Sequence, residues 1–234
     1  MAYNINDVYK IVLYAVSKNL QQGYVSPEDF NNSINIAQKG YVAYLLGNFQ
    51  QYQPGRPVAR IEFGQNAVVR QRLTPIIYET WLSVDGSGYS PYPSAASQLP
   101  SGGAYMQTDA MWSAYGYERI REVQQHYFYS IYNSVIDPVA SWPVYMIKNN
   151  GFQFAPFGIG QARISYIIEP PDMIWGYTLD GNGVPVYNAA SSVQPVWDDV
   201  SIMEIIARAL RLIGVNLQYN DVAAYANQIQ FQGQ

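Results

Sequence analysis

His126 is the only side chain of its kind in 234 residues, and the chain has no cysteine. An imidazole acting as general base near neutral pH needs a nucleophile and an orienting acid beside it. His126 stands between Gln124-Gln125 and Tyr127-Phe128-Tyr129, where no arrangement of Ser or Asp supplies them, so it reads as a structural or surface residue. A hydrolase built on two carboxylates needs no histidine. Of the candidate pairs, Glu118 and Glu122 stand four apart in a predicted strand, and Asp198 and Asp199 stand where a helix requires an N-cap. Asp180-Gly181-Asn182-Gly183 opens like a calcium loop, but Val184, Pro185 and Val186 break the alternation of oxygen ligands and the twelfth position is Ser191. A tight turn explains it better. Gly86-Ser87-Gly88 lacks the lysine and helix of a phosphate loop. No catalytic residue, metal site or cofactor is expected.

What the sequence offers instead is contact chemistry. It has 22 Tyr, and its 20 Gln and 16 Asn outnumber the 13 basic and 17 acidic residues together. Tyrosine gives large, stiff, amphipathic contact area, and amides hydrogen-bond with less desolvation cost than charges. A formal charge of −4 argues against a dedicated nucleic-acid binder, which needs a basic stripe. No apolar run approaches the roughly 18 residues that span a bilayer. The N-terminus lacks a basic n-region. The chain is expected to act in the compartment where it is made, or in an assembly built there.

The elements that must position such contacts fall in blocks. Ile5, Val8, Val12, Ala15 and Val16 predict a helix capped by Asn4 and ended by Gly23. Ser26-Pro27-Glu28-Asp29 opens a second helix, with Phe30, Ile34, Ala37, Tyr41, Tyr44 and Leu45 as its apolar face and Gly47 as its stop. Residues 48–75 carry four of the nine arginines, Arg56, Arg60, Arg70 and Arg72, among prolines and glycines and beside Tyr52, which predicts an extended arm. From Ile76 to Glu169 the signals are mainly β. Strands are expected over Ile76 to Val84, Tyr115 to Val123 and Arg163 to Glu169. An exposed loop fills 87–103, and a short helix runs through Phe128 and Ile131. The clearest hairpin joins Val144–Lys148 to Phe152–Phe157 through Asn149-Asn150-Gly151. Residues 172–197 are a second irregular excursion, holding Trp175, Tyr177, Tyr187 and Trp197. Asp199 then caps a helix through Ile202, Ile206, Ala209, Leu210 and Ile213 that stops at Gly214, and Asn220 or Asp221 opens a last one.

This pattern predicts an α+β protein. Its N- and C-terminal helices, residues 1–47 with 198–234, form a bundle. Residues 76–171 form a central, mainly antiparallel β module, and 48–75 and 172–197 form extended arms. The arginines read either as the blunted edge of a hairpin or as forks for carboxylates and carbonyls on a partner, with Tyr52 as anchor.

The stretches Tyr24-Val25-Ser26-Pro27-Glu28-Asp29-Phe30, Tyr44-Leu45-Leu46-Gly47-Asn48-Phe49-Gln50-Gln51-Tyr52-Gln53-Pro54-Gly55-Arg56-Pro57 and Arg72-Leu73-Thr74-Pro75 resemble a family of virion structural proteins from crAss-like, short-tailed bacteriophages. So do Ser134-Val135-Ile136-Asp137-Pro138, Trp175-Gly176-Tyr177-Thr178-Leu179-Asp180-Gly181-Asn182-Gly183 and Glu204-Ile205-Ile206-Ala207-Arg208-Ala209-Leu210. The order of terminal helices around a β module is also similar to the head-to-tail adaptor proteins of such phages. The long loop from Ser87 to Gly103 departs from the compact layout of an adaptor. The resemblance implies a non-enzymatic subunit of a ring, typically of twelve copies, lying near the portal in the tail of a virion assembled in the bacterial cytoplasm. It would contact copies of itself, the portal protein and other tail ring proteins, with viral DNA as passing cargo and no membrane. Tyr52, Arg56, Arg60, Arg70, Arg72, Trp175, Tyr177 and Tyr187 are the expected contact residues. The alternative is a glycan- or receptor-binding tail module, because the aromatics and amides of 172–197 suit sugar faces and hydroxyls. A carboxylate glycosidase is a third reading.

Overall fold

The structure, a computed structural model, describes residues 3–19, 24–47, 67–94, 98–99, 103–114, 118–132, 138–139 and 141–216. In chain order the elements are α1 (Ile5–Asn19), α2 (Pro27–Leu46), α3 (Ala67–Leu73), β1 (Ile77–Ser83), β2 (Tyr89–Pro91), β3 (Tyr105–Ser113), β4 (Arg121–Glu122), α4 (Gln125–Tyr132), β5 (Val144–Lys148), β6 (Gly151–Ala155), β7 (Gln161–Ile168), β8 (Tyr177–Leu179), β9 (Pro185–Tyr187) and α5 (Asp199–Asn216). The fold is mixed helix and sheet, of the α+β class. The chain divides into two compact units, one formed by Met1–Pro75 with Asp172–Gln234 and the other by Ile76–Pro171.

The helices of the first unit begin where local chemistry satisfies their free amides. Asn4 Oδ1 accepts from the Asp7 amide at 2.9 Å, and Ser26 Oγ accepts from the Asp29 amide at 3.1 Å with Pro27 at the first helical position. Gly47, at φ 86°, ends α2 in a backbone region few other residues enter. Two expectations for α5 are corrected. The cap is Asp198, whose Oδ1 faces the Ser201 amide at 3.3 Å and whose carbonyl accepts from Ile202 at 2.9 Å, while Asp199 accepts from the Tyr3 amide at 3.0 Å. The helix also continues through Gly214 to Asn216. A glycine inside a helix costs only about 1 kcal/mol, less than full burial of a residue such as Ile213 beside it returns.

Helices α2 and α5 run in the same direction along one another. Gln38 accepts from Trp197 Nε1 at 3.1 Å, Tyr41 bonds Ser201 at 2.9 Å, and the Arg208 guanidinium lies 4.8 Å from the Tyr44 ring centre, so partner numbers rise together. Where the arm was expected, Ala67–Leu73 is helical and Thr74–Ile76 a 3-10 turn. Ala, Arg, Gln and Leu are all good helix formers, and they outweigh the two valines. Residues 48–66 of the expected arm, the Gly23 stop and the helix from Asn220 or Asp221 lie outside the described residues.

Residues 172–197 are not a free excursion. Asn31 and Asn35, one turn apart on α2, each use both ends of the amide on a main-chain residue. Asn31 accepts from Trp175 N at 2.8 Å and donates to Trp175 O at 3.4 Å, and Asn35 accepts from Met173 N at 2.8 Å and donates to Met173 O at 3.0 Å. The match is geometric: four helical residues rise about 6 Å, close to the roughly 6.6 Å spanned by two extended residues. The helix thus offers its side chains as a substitute strand edge. Strands β8 and β9 then form an antiparallel hairpin.

The second unit holds two sheets, β1-β7-β3 and β2-β6-β5-β4, in which every pairing is antiparallel except β4 with β5. The β5–β6 hairpin turns at Asn149-Asn150, with Lys148 opposite Gly151. Its core gathers Phe128 of α4, Met146 and Ala155. Three expectations change. Tyr89–Pro91, inside the expected loop, is a strand on β6, and Ser90 is buried. The strand expected over 115–123 is only β4, preceded by a single bridge of Arg119 to Trp112, with 115–117 outside the described residues. Strand β3 has no clear sequence signal: Gln107, Thr108 and Asp109 interrupt alternation, and its pairing with β7 shifts register twice. At the open end of the first sheet Ile77 pairs Ile167, so the unit begins and finishes on adjacent strands.

Candidate interaction surfaces

The predicted contact residues divide sharply. Tyr52, Arg56 and Arg60 lie outside the described residues, and Arg70 is exposed on α3. Arg72 is committed within the chain, pairing Glu204 of α5 at 2.5 Å with both side chains about three-tenths exposed. Trp175 is 4% exposed. Its ring lies 4.2 Å from that of Tyr9, 5.9 Å from Tyr177 and 6.0 Å from Tyr187, and its Nε1 donates to Asn6 Oδ1 at 3.2 Å. Tyr177 and Tyr187 oppose one another across β8–β9 and are half-buried. Arg72 and Trp175, expected to anchor a partner, make these contacts within the first unit, Trp175 buried and Arg72 still partly exposed. The sequence shows aromatic residues in an irregular stretch, and only the fold shows which way they face.

The residues weighed for chemistry are also placed. His126 is exposed on α4, its ring against Tyr127 at 4.1 Å. Asp180 Oδ1 accepts from the amides of Asn182 and Val184, at 2.8 and 2.9 Å, which makes the segment a turn. Asp85 does the same, accepting from Ser87 and Tyr89. These bonds, the Ser87 side chain first, hold its carboxyl below the usual range. Among the described residues no group of three or more His, Asp or Glu is placed to hold a metal ion. No helix among them is long and apolar enough to cross a membrane.

The surface carries other aromatic residues that sequence reasoning did not single out. Tyr14 and Tyr24 are exposed on the first unit, and Trp81, Tyr127, Tyr129 and Trp142 on the second. Trp142 is 68% exposed, with the Arg121 guanidinium 5.2 Å from its ring centre. Trp81 lies under Arg163, which pairs Glu79. On α5, Arg208 lies 5.8 Å from the Tyr41 ring and 4.8 Å from that of Tyr44. An arginine over an aromatic ring is a common hot-spot composition. The available signal was the placement of scarce arginines among abundant tyrosines, although no spacing rule pairs Arg208 with Tyr44. The chain matches no protein-family model and no curated protein.

Proposed function

We propose that this chain is a structural virion protein of a short-tailed bacteriophage: one subunit of an oligomeric ring in the portal-proximal tail. The ring connects the portal to the distal tail and forms part of the conduit for DNA ejection. The observation that carries the reading is the exposure of large aromatic side chains on each unit, Tyr14 and Tyr24 on one and Trp81, Tyr127, Tyr129 and Trp142 on the other. A ring subunit meets each neighbour through a different face, so it needs contact surface in more than one place. Aromatic residues are enriched at such contacts. The sequence resemblance to crAss-like virion proteins supplies the setting, with twelve copies, the portal protein and other tail rings as partners, and DNA as passing cargo. In this proposal the helices from the two ends of the chain make the bundle of the ring body. The chain's formal charge of −4 suits a conduit that does not grip DNA.

The test is the mass of the purified chain, alone and with candidate portal protein, by light scattering and negative-stain imaging. Rings near twelve subunits, alone or templated, are the expected result. A strict monomer or trimer that ignores the portal overturns the reading.

A further inference from the structure

Arg208 is an unusual cation in a chain with few charges. Its guanidinium lies over the rings of Tyr41 and Tyr44, 5.8 and 4.8 Å from their centres, its Nε is buried without a hydrogen-bond partner, and it makes no ion pair among the described residues. Arg211, three residues on along the same face of α5, is exposed and likewise makes no ion pair among them. The nearest acid along this face of α5, Glu204, is already engaged by Arg72. The two rings and the buried Nε restrict Arg208 before any partner arrives, so less side-chain freedom is lost when a carboxylate binds.

We propose that Arg208 and Arg211, together with Tyr44, form a docking site for carboxylates of a second copy of this chain, and that the groups received are Glu28 and Asp29 at the start of its α2. Charge complementarity favours an acidic occupant, and the chain is acidic overall. Glu28 and Asp29 present two adjacent exposed carboxylates in the first turn of α2. Tyr44 lies near the other end of that helix, about 24 Å away at 1.5 Å per residue. The two patches therefore cannot meet within one molecule. Between molecules they make a head-to-tail contact, the kind that closes a ring when its rotation divides a circle. The pairing rests on the ring reading above and names the surface that reading leaves open.

The test uses the full chain in sedimentation velocity across a concentration series. The variants are Arg208→Glu with Arg211→Glu, and Glu28→Arg with Asp29→Asn, the asparagine keeping an acceptor for the Ser26 hydroxyl that caps α2, each checked for an unchanged melting temperature. Either pair alone is expected to weaken self-association at least about ten-fold, and an equimolar mixture of the two to restore it. Should Arg208→Glu unfold the chain, Arg211→Glu alone is expected to weaken association in the same direction. A wild-type assembly whose affinity neither pair changes overturns this pairing and leaves the ring reading standing. Folded variants whose weakened association is not restored on mixing overturn it too, because the arginines then meet other acids. Duplex DNA binding lost in the arginine variant, with self-association unchanged, overturns it in favour of a phosphate site. A wild-type chain that stays monomeric at every concentration, with portal protein present as well, overturns both.

Discussion

Trp175 shows how a residue suited to recognition is used for cohesion. Its ring is enclosed by Tyr9, Tyr177 and Tyr187, and its backbone is held on both sides by Asn31. Trp175→Ala is expected to cost about 3 to 5 kcal/mol of stability by chemical denaturation, not to act as a mild surface change. The buried tyrosines set a second expectation. Burial, with Tyr24 adding a smaller push, raises the Tyr9 hydroxyl to about 12, and burial likewise raises Tyr41, Tyr105 and Tyr166. Below pH 10 these groups are neutral in the folded and unfolded chain alike, and their contribution is complete. Above pH 10 the unfolded chain releases protons that the folded chain retains, so stability falls as pH climbs towards 12. The denaturant midpoint followed between pH 8 and pH 12 should therefore decline on the alkaline side. A flat profile would mean that these hydroxyls are solvated.

At the scale of elements, glycine decides whether the second sheet closes. A Cβ at Gly151 would meet the Ser90 carbonyl oxygen and, at 2.9 Å, the Pro91 Cα. Gly151→Ala should separate β2 from β6, read as faster hydrogen exchange at the β2–β6 amides than in the wild type; unchanged exchange would show that the backbones can part without cost. The same close approach explains why β2 was not visible in the sequence. Tyr89-Ser90-Pro91 has loop composition, and what makes it a strand is a neighbour 60 residues away along the chain. Helices α1 and α2 were legible because Asn4, Ser26, Pro27 and Gly47 carry their own boundaries. The β5–β6 hairpin was legible because its turn and its pairing are local. Strand β3 was not, since polar residues in its middle are tolerated by register shifts that only β7 defines. The site followed the same rule: arginine and tyrosine were identifiable as contact chemistry, but which of them turn inward depended on Asn31, Asn35 and Glu204 in other elements.

For the molecule as a whole, the division at Pro75 and Pro171 predicts that residues 76–171 can be exchanged for a short Gly-Ser linker with the first unit still folding. Circular dichroism should then show the helical signal retained and a cooperative melt, whereas a molten profile would show that the helices depend on the sheets. The pairing of Ile77 with Ile167 makes the exchange feasible, since paired strands lie about 5 Å apart. In chain order the whole β unit is an insertion between Pro75 and Asp172, and its own mouth, where Ile77 pairs Ile167, is one strand pairing wide. Such a mouth accepts cargo of any size, because the entropy of closing a loop grows only logarithmically with its length. Selection can therefore enlarge, trim or replace what hangs there while the helical scaffold keeps its own sequence constraints, so the two parts are free to diverge at different rates.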